Sequence, residues 1–341
     1  GINIFYRETQ KFVHYESLAN DPNSLSYNAV RPIYEDSSGI LWVGTDGGGL
    51  NKFDREKGIF TYYKHDPDNP RSISSNRVIA ICEDKSGMFW LGTEGGGLNK
   101  FNNRWGSFTR YKHDPNNPQS LGDDRIRAMK IDTSGVLWIG TNGGGLDKFD
   151  REKKEFTHYK HDPNNPHSLS NDRIFCMYVD RSNVLWIGTF GGGLNKFDRE
   201  KDQFIHYQTD TSDITSISKN FIVSICEDHK GIMWIGTVHG GLNKFDRSKG
   251  KFKRYTTEDG LPDDLIYDIL EDSNGYLWMS TNRGLSRFDP ETEEFKNFDV
   301  KDGLQSNEFN TGTGFVSRSG EMFFGGINGF NSFYPDSIMV L

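Results

Sequence analysis

The chain has 341 residues, of which 38 are glycine and 13% are aromatic, and its formal net charge is −8. This acidic balance argues against a sequence-independent nucleic-acid binder, because phosphates require a basic protein surface. No apolar run approaches the roughly 20 residues of a membrane span. Abundant glycine together with abundant aromatic residues is typical of short strands joined by tight turns.

One short segment recurs seven times along the chain. It reads LWVGTDGGGLNKFD from Leu41, and its last and most divergent copy begins at Met322. Its tryptophan returns every 48 residues from Trp42 to Trp234, and then after 44 residues at Trp278. A repeat of about 45 residues that contains several short strands is typical of a propeller blade.

The second repeat shows the four strands that we expect in each blade. They span 78–83, 89–93, 98–101 and 108–111. Each is rich in aromatic or β-branched residues and is bounded by Gly, Asn, Asp or Pro. The sequence therefore predicts an all-β fold, a seven-bladed β-propeller of four-stranded antiparallel blades whose ring is closed by both termini. An open β-solenoid normally has shorter repeats and fits this unit poorly.

We expect residues 1–341 to form a single propeller domain. Its parts would be 1–15 as strands of the closing blade, 16–300 as six full repeats, 301–334 as the last repeat, and 335–341 as a tail toward a following domain. A first strand near 310–316 and a second from Met322 belong to the last repeat. Residues 1–5 and 330–333 both match its third strand, so either the latter segment or residues 1–15 must lie outside the ring.

The repeat resembles a known family. The patterns LW[IV]GTxGGGL, NKFDREK and FTHYKHDPNNP are similar to the two-component regulator propeller repeat. The unit from Asp302 to Gly326 resembles the one that closes the second propeller in periplasmic sensor regions of hybrid two-component histidine kinases. The resemblance implies a sensor whose ligands are often oligosaccharides, a periplasmic or extracellular location, and immunoglobulin-like and kinase domains downstream in the full-length protein. Because the chain begins within a repeat and shows no signal peptide, we expect a piece of a longer protein.

Recurring histidine and cysteine residues are better explained by structure than by chemistry. One histidine falls in each of three successive repeats, which places the copies on separate blades and is the wrong spacing for one metal site: His65, His113 and His161. Three cysteines lie in first strands of different repeats, and we interpret them as small buried hydrophobic residues: Cys82, Cys176 and Cys226.

The polar turns receive the same interpretation. The oxygens of 114–117 favour turn capping over a calcium loop, because the alternating acidic pattern is incomplete. We interpret Glu35 with Asp36, and Glu83 with Asp84, as solvated turn charges rather than a catalytic pair. The recurring tryptophan is expected to pack between blades. No G-x-S-x-G, HExxH, P-loop or CxxC motif is present, so we predict a non-enzymatic chain with no cofactor and no metal.

Two variable columns interrupt the otherwise constant repeat. Because turns of a meander alternate between faces, the glycine turn, the inter-blade connection and the start of each first strand should share one face. The residues after Gly-Thr are Asp46, Glu94, Asn142, Phe190, Val238 and Asn282. The second residues of the first strands are Arg31, Ile79, Arg127, Phe175, Val223 and Tyr267. Paired blade by blade, the columns predict a rim with polar and apolar sides, a common pattern for a binding site.

From this rim we predict a ligand site, although unconstrained variation would give the same columns. Its candidate residues are Arg31, Asp46, Glu94, Arg127, Asn142, Phe175, Phe190, His239, Tyr267, Asn282 and Arg283. The first hypothesis is a non-catalytic sensor propeller that binds a saccharide or another extracytoplasmic small molecule and shifts a homodimer between two arrangements. A protein-interaction or dimerisation ring without a small ligand is the alternative. A propeller lyase or glycosidase would need converging acids, for which Asp46 and Glu94 are the adjacent-blade candidates.

Overall fold

The structure, a computed structural model, describes residues 11–338. The described chain consists almost entirely of β-strands, arranged in seven four-stranded antiparallel sheets. Contacts between the innermost strands of successive sheets join these into a ring around a central channel. The predicted seven-bladed propeller is therefore confirmed. No helix among the described residues is long and apolar enough to cross a bilayer.

Each blade is numbered by its repeat, and strands run from the channel outward. The chain enters through β1 (Val13–Tyr15), which belongs to blade 7. Blades 1 and 2 consist of β2 (Val30–Glu35), β3 (Leu41–Thr45), β4 (Leu50–Asp54) and β5 (Ile59–Tyr63), then β6 (Val78–Glu83), β7 (Phe89–Thr93), β8 (Gly97–Asn102) and β9 (Ser107–Tyr111). Blades 3 and 4 consist of β10 (Ile126–Ile131), β11 (Leu137–Thr141), β12 (Leu146–Asp150) and β13 (Glu155–Tyr159), then β14 (Ile174–Val179), β15 (Leu185–Thr189), β16 (Leu194–Asp198) and β17 (Gln203–Tyr207).

The remaining blades follow the same order. Blades 5 and 6 consist of β18 (Ile222–Glu227), β19 (Met233–Thr237), β20 (Leu242–Asp246) and β21 (Lys251–Tyr255), then β22 (Ile266–Glu271), β23 (Leu277–Thr281), β24 (Gly284–Asp289) and β25 (Glu294–Phe298). Blade 7 consists of β26 (Phe315–Val316), β27 (Met322–Gly326), β28 (Gly329–Phe333) and β1. Short 3₁₀ turns cover Thr257–Asp259 and Val300–Asp302, and a short α-helix, α1, covers Pro335–Ile338.

Blade 7 closes the ring with strands from both ends of the chain. Its outermost strand β1 pairs antiparallel with β28, and Val13 lies opposite Ser332. The expectation that either 330–333 or residues 1–15 lies outside the ring is wrong, because β28 and β1 both belong to blade 7. Residues 1–5, the other candidate for the third strand, lie outside the described residues. Pairing β1 with β28 covers the outer edge of the last repeat and ties the two ends of the chain into one blade.

The inner strand of blade 7 is shorter than the sequence suggested. The sequence predicts a strand over 310–316, but within this range the strand covers only Phe315–Val316. The N–H of Asn310 also donates to the carbonyl of Gly325 at 3.1 Å, beside an isolated bridge at Phe309. Between these two points a side chain of blade 6 holds the backbone, because the Asp268 carboxylate accepts from the N–H of Thr313 at 2.8 Å and of Gly314 at 3.0 Å. Those N–H groups are satisfied without a strand partner, so the ladder is interrupted there.

The recurring tryptophan packs between blades, as predicted. Trp90 lies in a cluster with residues of blade 3, and its ring meets that of Phe149 at 5.4 Å between centroids. Its indole N–H donates to Asp84 at 3.0 Å, and the same bond recurs in the first six blades. Buried indole groups need such an acceptor.

This bond corrects our interpretation of the Glu-Asp turns as solvated. Asp36 is 2% exposed and Asp84 is 8% exposed. Glu83 accepts from Ser37 and Tyr34 of the neighbouring blade. The aspartate of each turn is thus a buried structural acceptor.

The recurring cysteines, the recurring histidines and the Asp-Pro-Asn-Asn turns have structural roles among the described residues. The three cysteines are free, and burial raises the pKa of each thiol, to about 11 for Cys82. His65 Nδ1 lies 2.8 Å from the carbonyl oxygen of Ile73 and braces its own inter-blade loop. Asp114 Oδ1 accepts from the backbone of Asn116 at 2.9 Å, the expected turn cap.

Candidate functional site

The glycine turns and the inter-blade loops meet on one face of the ring. The N–H groups of Gly47 and Gly49 in blade 1 donate to the carbonyl of Asn76, at 3.1 and 2.8 Å, in the loop that enters blade 2. Gly49 has φ +82°, and a Cβ there would lie 2.3 Å from the carbonyl oxygen of Tyr63. The turn therefore requires glycine and fixes the next blade's loop beside it. We call the channel opening on this face the glycine-turn mouth.

The innermost strands line a channel of about 510 Å³ that begins at this mouth. In β10 the register shifts between Ile126 and Ala128, and Arg127 is the extra residue. The same irregularity occurs at Phe175 in β14. A bulge re-aims the side chain that it carries. The first-strand column of variable residues thus coincides with a bulge, and both of these side chains line the channel.

The first part of the rim is a chain of ion pairs. Arg31 donates to Asp46 at 2.9 Å within blade 1, the pairing expected from the sequence. Arg77, which enters blade 2, also donates to Asp46. Although burial raises the pKa of Asp46, the hydrogen bonds from Arg77 and Arg31 hold it below its usual value. Asp46 is therefore ionised and neutralised on both sides.

The next acid, Glu94, meets an arginine of the following blade. Arg127 Nε lies 3.6 Å from Glu94 Oε2, and neither atom has a hydrogen-bond partner among the described residues. Burial lowers the pKa of Arg127, which Glu94 partly offsets. The blade-by-blade pairing of Arg127 with Asn142 is wrong, since Asn142 instead accepts from Arg173 of the next blade at 3.2 Å. Isolated β-bridges, such as that between Asn142 and Arg173, hold the glycine turn of one blade against the loop that enters the next blade.

Three phenylalanines form the apolar side of the rim. The ring of Phe221 lies 4.9 Å from that of Phe175 and 4.2 Å from that of Phe190, both edge-on. The guanidinium carbon of Arg173 lies 3.9 Å above the Phe190 ring, and that of Arg127 lies 5.8 Å from the Phe175 ring. All three rings are partly exposed, so the cluster presents an apolar surface beside the arginines.

The remaining predicted residues lie farther round the ring. The Tyr267 hydroxyl is 3.4 Å from Asn282 Oδ1. Arg283 is mostly exposed and lies 3.6 Å from Asp263. His239 is exposed with φ +58°. Val223 is 3% exposed and belongs to the core. Among the described residues, no hydrogen bond, ion pair or ring-to-ring contact joins Tyr267, Arg283 or His239 to the aromatic cluster.

A third rim column was not predicted from the sequence. It comprises the residue immediately before each first strand: Ala29, Arg77, Arg125, Arg173, Phe221 and Leu265. This column contains the ring that joins Phe175 to Phe190 and three successive arginines. The signal was available, because these positions also vary beside a constant aliphatic residue.

The rim combines paired acids with aromatic rings at one channel mouth. Arginine opposes both predicted acids, Asp46 at 2.9 Å and Glu94 at 3.6 Å. The residues from 11 to 338 hold no group of three His, Cys, Asp or Glu that could bind a metal ion. What the mouth offers is guanidinium donors, an apolar wall and a channel behind them, the elements of a small-molecule site.

Comparison with known families identifies the repeats. The two-component regulator propeller family matches six segments of the chain: 24–47, 72–95, 120–143, 168–191, 216–239 and 260–283. Each segment runs from the loop entering a blade through its first two strands to the glycine turn. The matched segments therefore contain the rim columns of blades 1 to 6. No curated protein matches the sequence.

Similar solved structures include extracellular domains of signalling systems and a lyase. The extracellular domain of a protein described as a hybrid two-component system from B. thetaiotaomicron is 28% identical, with a TM-score of 0.80, and the match covers 97% of this chain and 42% of that one. A second extracellular domain from B. thetaiotaomicron, described as belonging to a one-component system, is 23% identical with a TM-score of 0.54 and covers 90% and 47%. Virginiamycin B lyase from Staphylococcus aureus is 14% identical with a TM-score of 0.68 and covers 94% and 97%.

The last two similarities show the fold alone. The chain spans less than half the length of the two extracellular domains.

Proposed function

We propose that this chain, a two-component regulator propeller, is the sensing module of a bacterial two-component receptor. It binds a saccharide or a similar small molecule at the glycine-turn mouth, in the periplasm or outside the cell. The similarity to an extracellular domain of a hybrid two-component system supports this setting.

One observation carries the proposal. Residues that vary within a constant repeat converge on a single channel mouth, where Arg127 and Arg173 stand beside the rings of Phe175, Phe190 and Phe221. Aromatic faces cover the apolar faces of sugar rings, and guanidinium groups bond to their oxygen substituents. Structural needs explain the constant residues but not this concentration of aromatic and basic side chains.

The module acts by binding rather than by catalysis. Ligand affinity that differs between two arrangements of a receptor dimer shifts the population toward the one that binds better. A dimerisation ring that takes no small ligand is the alternative. Light scattering of the wild type and of a variant mutated at the mouth separates them, because a ring that buries the mouth in a dimer would lose the dimer when the mouth is mutated.

Isothermal titration calorimetry with a panel of oligosaccharides tests the placement of the site. The double variant Arg127→Ala, Phe190→Ala should lower affinity at least about ten-fold, as expected for central contacts. The matched control is Arg104→Ala, Trp105→Ala, which removes one arginine and one exposed ring at the opposite end of blade 2. Equal binding by the wild type and the rim variant would refute the placement.

A further inference from the structure

Arg173 stands out among the rim arginines because it has no carboxylate partner. Its Nε donates to Asn142 Oδ1 at 3.2 Å, at the position where blades 1 and 2 carry Asp46 and Glu94. Among the described residues no acid lies within ion-pair distance of Arg173, and nothing accepts from its two terminal nitrogens. Asn142 orients the guanidinium without neutralising it.

Arg127 is the second arginine with unused donors. Its one acidic neighbour, Glu94, approaches Nε at 3.6 Å without forming a hydrogen bond, so Arg127 Nε and Glu94 Oε2 both lack a hydrogen-bond partner among the described residues. Each of the two side chains is about one quarter exposed or less. A partly buried guanidinium without good acceptors is costly, and an incoming anion relieves that cost. Arg31 and Arg77 add positive potential at the same place.

The aromatic cluster places the two arginines around a common surface. The guanidinium of Arg173 lies against the Phe190 ring, that of Arg127 lies near the Phe175 ring, and the Phe221 ring contacts both rings. The contact with Phe190 restrains the Arg173 guanidinium, so less side-chain freedom is lost when it binds.

Charge at this part of the rim is unbalanced. The rim columns of blades 1 to 4 carry five arginines: Arg31, Arg77, Arg125, Arg127 and Arg173. The carboxylates that approach them are three, namely Asp46, Glu94 and Asp123. Arg125 is already held by Asp123 at 2.6 Å. Arg31 and Arg77 share the single carboxylate of Asp46, and Arg173 has no acid within ion-pair distance among the described residues. Two positive charges are therefore in excess at this part of the rim, one of them on Arg173, on a protein whose net charge is −8.

We infer that the ligand is an acidic saccharide, whose carboxylate or sulfate lies between Arg127 and Arg173 while a face of its sugar ring packs on the phenylalanine cluster. The inference rests on the proposed function and specifies its ligand class. Guanidinium groups pair with either oxyanion through charge-assisted hydrogen bonds. Glu94, the nearest acid, then loses its weak contact to Arg127 and remains opposed by Arg77 and Arg125.

Calorimetry with paired probes tests the charge requirement. Short galacturonate oligomers are compared with their methyl esters, which keep the backbone and remove the charge, and with sulfated neutral oligomers. At low salt the galacturonate or the sulfated oligomers should bind at least about ten-fold more tightly than the neutral forms, because charge-assisted bonds are the stronger ones. Their affinity should fall as salt rises. The acidic probe that binds shows whether the site takes a carboxylate or a sulfate.

Three variants locate the effect. Arg173→Gln and Arg127→Gln should each remove most of the preference for the acidic probe, whereas Arg125→Gln, whose guanidinium is already paired, should retain it. Thermal melts confirm folding of all three. Equal or tighter binding of neutral oligomers overturns the acidic assignment but leaves saccharide sensing intact. Failure of both acidic probes to bind also overturns it, and failure of every saccharide in the earlier panel overturns the proposed function as well.

Discussion

Stability should fall as pH rises through the titration of Asp268. This carboxylate lines the channel at the ring closure and accepts from Thr313 and Gly314. Burial raises its pKa from 3.8 to about 6 despite these hydrogen bonds. An acid whose folded pKa exceeds its unfolded pKa stabilises the fold below both values, and this contribution is lost as pH rises through the folded pKa.

The magnitude follows from the two pKa values. Their difference corresponds to about 3 kcal/mol of free energy of unfolding, of which about 2 kcal/mol is lost between about pH 4.5 and pH 7.5. For a domain of this size, 2 kcal/mol shifts the melting temperature by about 3 °C. Asp268→Asn removes the titration and keeps an acceptor for the Thr313 N–H, while any fixed cost of the amide is independent of pH.

The assay is a set of thermal melts of wild type and Asp268→Asn across this pH range. Other carboxylates titrate equally in both proteins, so the difference between the two melting temperatures isolates Asp268. Relative to the variant, the wild type should lose about 3 °C as pH rises. A difference that stays constant, or that grows in favour of the wild type, would refute the buried-acid reasoning.

Two further predictions concern the scaffold. Asp132→Ala removes the buried acceptor of the Trp138 indole, which donates to it at 2.9 Å, and of Arg199. Urea unfolding should therefore show a free energy of unfolding lower by about 3 kcal/mol or more. The exposed control Glu152→Ala should match the wild type, and an equal loss in both variants would contradict the role of Asp132. In blade 3, Asp147 replaces the usual buried asparagine and its hydrogen bond raises the pKa of His158. Asp147→Asn should therefore lower that pKa in an NMR titration, with His206 as internal reference, and an unchanged value would show that the pair does not set it.

The regular part of the fold could be predicted from the sequence because each blade repeats one hydrogen-bonded pattern. The predicted strands of the second repeat agree with β6 to β9 within one residue at each end. Blade 7 was harder, since its inner strand depends on Asp268, a side chain of another blade, which no local pattern shows. The burial of the turn aspartates was not predicted, because a polar turn is usually solvated. The pattern that indicates it is their constant spacing, six residues before each tryptophan.

The rim was predicted as positions but not as partners. Variation within the repeat identified Arg127, Phe175 and Phe190, because the repeat itself supplies the reference for what is constant. Pairing within a blade gave Arg31 with Asp46 but failed for Arg127, because each glycine turn also meets the entry loop of the next blade. Those contacts arise from the twist and packing of neighbouring sheets, which sequence spacing does not encode.

Hydrogen-exchange mass spectrometry of the protein with and without a bound oligosaccharide tests the central claim most directly. If the ligand occupies the glycine-turn mouth, protection should appear in peptides covering 142–145, 173–176, 189–193 and 219–223, where Arg173 and the phenylalanine cluster lie. The turns at the opposite end of the blades, such as 102–106 and 132–136, should exchange unchanged. Protection confined to those opposite turns would contradict a ligand site at the mouth.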